Sequence, residues 1–99
     1  MTSLQVKQYF DRLRESHDSY SGRISEENQL SERNDLCAFL IISKLLHKTK
    51  TQNIISGAYN DKIFLNLTPE HIPDEQTLLD LYYCNVLYDS YYEYFYMFV

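Results

Sequence analysis

Few residues in this chain are of types that do chemistry, and their spacing does not suit it. Histidines stand at His17, His47 and His71, and thiols at Cys37 and Cys84. A zinc site needs three or four such ligands, usually in close pairs, and no CxxC, HExxH or Asp-rich calcium loop occurs. Gly22 and Gly57 are the only glycines, so no loop can cradle a phosphate. Asp74 and Glu75 follow Pro73 and read as helix-start residues rather than as a general acid and base. Cys84 as nucleophile with His71 as base is the one enzymatic pairing on offer, and nothing beside either residue supports it. The sequence therefore predicts a non-catalytic chain with no metal and no cofactor.

What the chain does concentrate is phenol and carboxylate. Seven of its ten tyrosines lie between Tyr82 and Tyr96. Residues 1–50 carry eight basic and seven acidic side chains, whereas residues 51–99 carry seven acidic ones and a single base, Lys62. The net charge of −5 thus belongs to the second half, which argues against direct binding of nucleic acid.

These groups must be positioned by a chain of 99 residues, which predicts one domain over 1–99 with no visible linker or repeat. Hydrophobic residues make up 44%, enough for a core. The best apolar run, Leu36–Ile42, falls well short of the roughly 18–20 residues of a membrane helix, and no signal peptide is visible. Cys37 and Cys84 both stand among apolar residues and read as reduced core thiols, which with the missing signal predicts a cytoplasmic protein. Asn66-Leu67-Thr68 matches a glycosylation triplet but carries no weight in such a chain.

Hydrophobic spacing predicts a first helix from Thr2 or Ser3 to Gly22, with Val6, Phe10, Leu13, His17 and Tyr20 on one face. Lys7–Asp11 and Arg14–Asp18 are opposite charges one turn apart on its other face. A second helix is expected from an N-cap at Ser25, with Glu26 and Glu27 in its first turn and Lys44, Lys48 and Lys50 at its far end. Leu36 to Leu46 is apolar nearly all round, which predicts a central helix covered on every side. Ile54–Leu67 reads as a short hairpin turning at Asn60-Asp61.

Asp74–Val99 sorts best as a third helix, with the alternative of a C-terminal strand in an α+β fold. At helical spacing Leu79, Tyr83, Val86, Leu87, Tyr91, Tyr94, Phe95 and Phe98 share one sector, with Asp80 misplaced among them. The opposite sector collects Glu75, Tyr82, Asn85, Asp89, Tyr92, Glu93 and Tyr96. The expected fold is therefore mainly α: about three helices with a short β element between the second and third.

The polar sector is the predicted partner-binding surface, through Glu75, Tyr82, Asp89, Tyr92, Glu93 and Tyr96. Tyrosine gives rigid contact area with a hydroxyl, and carboxylates among tyrosines complement Arg and Lys. The competing reading has these carboxylates merely solubilise an apolar segment and pair with Arg12, Arg14 or Arg23. No family is marked by these residues. Small acidic domains without catalytic apparatus do include stoichiometric inhibitors, such as the immunity proteins of nuclease toxins and phage anti-defence or anti-CRISPR proteins. The expectation is a protein of that class, binding a basic and possibly nucleic-acid-binding protein or nuclease, with no membrane contact. A homodimer built on the Tyr82–Phe98 aromatics is the alternative.

Overall fold

The computed structural model describes residues 1–15, 26–29, 32–47 and 53–98. Helix α1 (Ser3–Glu15) opens on a reciprocal cap. The Gln5 N–H donates to Thr2 Oγ1 (3.2 Å), and Gln5 Oε1 accepts from the Thr2 N–H (2.9 Å). Val6 and Phe10 are buried and Leu13 is half-buried, as the stripe requires. Lys7 and Asp11 pair at 3.0 Å on the solvent side. His17, Asp18, Tyr20, Gly22 and Arg23 lie outside the described residues.

Helix α2 (Asn34–Leu46) starts well after the expected position. Glu26–Asn28 form a turn rather than a first helical turn, and Ser25 lies outside the described residues. Asn28 supplies the reason. Its side-chain Nδ2 donates to Asp80 Oδ2 at 2.7 Å and its backbone carbonyl accepts from Cys37 Sγ at 2.9 Å, so the residue is tied to the core and its carbonyl serves a thiol instead of a helix ladder. Arg33 pairs with Asp35 at 3.1 Å and, with the Leu36 N–H, holds that carboxyl below its usual range. Nor is α2 covered all round. Cys37, Ala38, Ile41, Ile42 and Leu46 are buried, whereas Leu36 is 45% and Leu40 36% exposed. Lys44 is in the last turn of this helix; Lys48 and Lys50 lie outside the described residues.

The expected hairpin is present as β1 (Ile55–Tyr59) and β2 (Lys62–Leu65), with Asn60 at φ 47° in the turn. A 3-10 turn, Pro69–His71, follows. Helix α3 (Glu75–Tyr83) is capped by Asp74, whose Oδ1 accepts from the Thr77 N–H at 2.8 Å.

The third helix does not continue to Val99. Asn85 takes the left-handed conformation (φ 69°), and the N–H groups of Asn85 and Val86 donate back to Tyr82 and Leu81, each at 3.0 Å. That is a Schellman close, with buried Val86 able to meet buried Leu81. The chain then forms β3 (Leu87–Asp89) and β4 (Tyr94–Phe98), and Val99 lies outside the described residues. All neighbouring strands are antiparallel, in the order β1-β2-β4-β3. The protein is therefore α+β, three helices and a four-stranded sheet among the described residues, and not mainly α. The helical reading failed because β4 is aromatic on both faces. Its two-residue period is visible only in burial, with Phe95 and Met97 inside and Tyr94, Tyr96 and Phe98 outside.

Helices pack on the inner face of the sheet. The Phe10 ring lies 5.8 Å from Tyr82 and 6.4 Å from Tyr88, and Tyr88 lies 4.8 Å from Phe95. Asp80, the acid misplaced in the helical pattern, is fully buried and also accepts from Gln76 Nε2 at 3.0 Å. Cys37 and Cys84 are free and buried. Burial, and then its neighbour Cys37, pushes the Cys84 thiol up to about 12, so it stays protonated near neutral pH.

Two substitutions test this core. Ile41 is 1% exposed, so Ile41→Asp should cost more than about 3 kcal/mol in denaturant unfolding. A loss of a few tenths would show that α2 is not central. The Tyr88 hydroxyl is buried with no hydrogen-bond partner among the described residues. Tyr88→Phe keeps the ring contacts and removes an unsatisfied group, so stability should stay level or rise by up to about 1 kcal/mol. A clear fall in Tm would reveal a partner for that oxygen.

Candidate functional site

Alternation along β4 builds the site. Phe95 and Met97 enter the core, so Tyr94, Tyr96 and Phe98 stand on the opposite face, where Tyr94 and Tyr96 are half-buried and Phe98 is exposed. Register brings their neighbours alongside: Phe64 and Leu87 flank Tyr96, Asp89 faces Tyr94, and Lys62 faces Phe98. The rings touch in sequence. Tyr92 stacks on Tyr94 with centroids 6.2 Å apart, Tyr94 meets Tyr96 at 5.7 Å, and Tyr96 meets Phe98 at 5.5 Å. Phe64 joins from β2, edge-on to Tyr94 at 4.9 Å. Gly57, paired with Phe64 across the β1–β2 hairpin, adds no side chain, and with Ser56, Phe64 and Tyr94 it lines a shallow apolar groove. Phe98 is 59% and Tyr92 71% exposed, so much of this aromatic surface faces water.

One cation sits within the ladder. The Lys62 ammonium lies 4.7 Å from the centroid of the Tyr96 ring and 5.9 Å from that of Phe98. The turn between β3 and β4 carries the acids. Asp89 Oδ1 accepts from the backbone N–H groups of Tyr91 and Tyr92, both at 2.9 Å, and so fixes where the Tyr92 ring projects. Glu93 closes the turn at φ 58°, a conformation that costs a residue of its type more than it costs Asn or Gly. The Tyr94 phenol is pushed above its ordinary value, first by desolvation, then by the charge and hydrogen bond of Asp89.

Four of the six predicted site residues, Asp89, Tyr92, Glu93 and Tyr96, belong to the β3–β4 hairpin, though Glu93 lines a groove with Met1, Pro69 and Glu70 and not the aromatic face. They share it as strand and turn residues, not as one face of a helix. Tyr82 is only 8% exposed and packs on Phe10. Glu75 stands at the start of α3, where its Oε1 pairs with Arg12 at 3.1 Å, so for this acid the competing reading describes the contact. Sequence reasoning missed Phe64, Tyr94, Phe98 and Lys62. The signal for the last was its position as the lone base of the second half, and for Tyr94 and Phe98 it was the spacing of aromatics by two from Tyr92 to Phe98.

The other chemistry is quiet. Cys84 is buried and protonated, and His71 Nδ1 accepts from the Thr68 N–H at 3.0 Å within a capping box, so no thiolate meets a free base. Among the described residues no group of three or more His, Cys, Asp and Glu could hold a metal ion. No helix among them is long and apolar enough to cross a membrane. No family model, no curated protein and no solved structure matches the chain.

The turn makes separable demands on its two acids. Asp89→Ala removes the acceptor of two backbone N–H groups and should destabilise by about 1 kcal/mol. Glu93→Gly relieves the left-handed backbone and should leave stability level or raise it by up to about 1 kcal/mol. Unfolding curves of the two variants check this, and equal effects would show that the turn does not hold these residues as described.

Proposed function

We propose that the chain is a non-catalytic protein-binding module, of the stoichiometric-inhibitor kind that anti-CRISPR and immunity proteins exemplify. It offers the open aromatic face and the carboxylates at its rim to a basic protein surface. One observation carries this reading: five rings, Phe64, Tyr92, Tyr94, Tyr96 and Phe98, form a contacting ladder on the outer side of the sheet, with Tyr92 and Phe98 largely exposed. Leaving such a surface in water forgoes burial worth roughly 25 cal/mol per Å². Tyrosine-rich patches recover that energy at interfaces, where the ring is buried and the hydroxyl still finds a partner. The charge pattern supports a basic partner, because Lys62 is the only base against seven acids in residues 51–99.

The experiment compares wild type with Tyr92→Ala/Tyr96→Ala, after circular dichroism confirms that both fold. Wild type is expected to hold a basic protein at one-to-one stoichiometry, with an association rate that falls as salt rises, and the double variant is expected to lose it. Equal capture by both proteins removes the aromatic face from the account. Sedimentation velocity on the same pair covers the homodimer: a salt-insensitive dimer present only in wild type replaces the heterologous partner with a second copy.

A further inference from the structure

We propose that the aromatic ladder is a binding site for cationic side chains, with arginine preferred, and that Lys62 is its built-in occupant. The inference rests on the binding reading above and specifies the chemistry of the partner as an arginine-bearing basic segment. It starts from the cation already there. Lys62 comes up from β2 beside β4, and its ammonium sits near the Tyr96 and Phe98 rings rather than extending away from the protein. The negative ring faces provide that attraction, and they do not distinguish a cation of this chain from one of another.

The ladder continues past the reach of Lys62. Tyr92, Tyr94 and Phe64 form its other end, and no cation lies over their rings among the described residues. Asp89 flanks Tyr94, and Glu93 lies in the adjoining turn. Rings with a carboxylate at their edge suit a guanidinium, whose flat face can stack on the phenol while an N–H reaches the acid. An ammonium is more strongly hydrated and has no flat face to stack while it donates to the acid, which is why arginine is preferred. The excess of acid in this half of the chain adds long-range attraction for the same partner.

The test uses the intact chain and fluorescein-labelled octa-arginine and octa-lysine peptides at physiological salt, read by anisotropy. Octa-arginine is expected to bind about tenfold more tightly than octa-lysine. Tyr94→Leu keeps apolar bulk but removes the ring, and should weaken octa-arginine about fivefold and shrink the preference. Lys62→Met should tighten binding several-fold more than Lys44→Met, which removes the same charge from α2. The Lys62/Lys44 comparison keeps the test decisive if Tyr94→Leu fails to fold. Equal affinity for both peptides, or equal effects of the two lysine variants, reduces the site to bulk charge and overturns the proposal. No binding of octa-arginine, while wild type still captures a partner lost in Tyr92→Ala/Tyr96→Ala, overturns the cation site and leaves the binding module standing. Loss of both overturns both.

Discussion

The placement of β4 between β2 and β3 constrains everything else in the sheet. A strand paired on both edges has no freedom to turn about its axis, so its two faces are committed by the period of two. Phe95 is fully buried and Met97 nearly so, which sets which face is inner. A slip of one residue would move Phe95 into water and put the tyrosines against the helices. Tyr94, Tyr96 and Phe98 are therefore outside by geometric necessity. Aromatic side chains suit a strand and pair across it, as Phe64 and Tyr94 do, but a polar β-branched residue such as threonine would also serve on a solvent face. The fold explains where these side chains point, and the proposed binding role accounts for their presenting aromatic surface to water.

The helices depend on the inner face in turn. Phe10 of α1 reaches both Tyr82 of α3 and Tyr88 of β3, so a single ring joins two helices to the sheet. Asp80 joins α3 to the turn before α2 through Asn28. Removing one partner of such a buried polar group leaves the other unsatisfied, and that costs more than the hydrogen bond itself is worth. The late start of α2 goes with another bond of Asn28, since its backbone carbonyl accepts from the Cys37 thiol instead of from a helical N–H.

Legibility in the sequence followed the clarity of the periods. The stripe of Val6, Phe10 and Leu13 is apolar on one side only, and the structure places it as its spacing predicts. The β1–β2 hairpin was readable from its β-branched and aromatic runs around Asn60-Asp61. The last segment was not, because a strand with aromatics on both faces loses the alternation that identifies it, and eight residues then align on a helix projection although only Leu79 and Tyr83 lie in α3. The stop signal was present at Asn85, a residue type that tolerates the left-handed conformation, but one asparagine within an apolar run is weak punctuation. The candidate site was partly legible for a related reason. Composition located the tyrosines and acids, whereas their mutual arrangement depended on the element type, so Asp89, Tyr92, Glu93 and Tyr96 share a hairpin instead of a helix face while Tyr82 is buried and Glu75 pairs with Arg12.

The two acids of the turn also limit what charge alone can reveal about the face. Asp89 is bound to two backbone N–H groups, so its charge contributes to the field at Tyr94 while its oxygens hold the turn. Reversing that charge would disturb the loop that positions Tyr92 as well as the potential a partner meets, and the two effects could not be told apart. The rings are free of this difficulty, since Tyr92, Tyr96 and Phe98 project from backbone that the sheet or the turn holds without them. Symmetry bears on the choice of partner too. A face-to-face pair of copies joined by a two-fold axis sets the same surface against itself, bringing Lys62 and the rim acids of one copy towards a face that carries the same charges. A basic surface of different sequence can place its cations over rings and beside carboxylates throughout the patch. On the proposed reading, complementarity on this face therefore favours a different protein over a second copy.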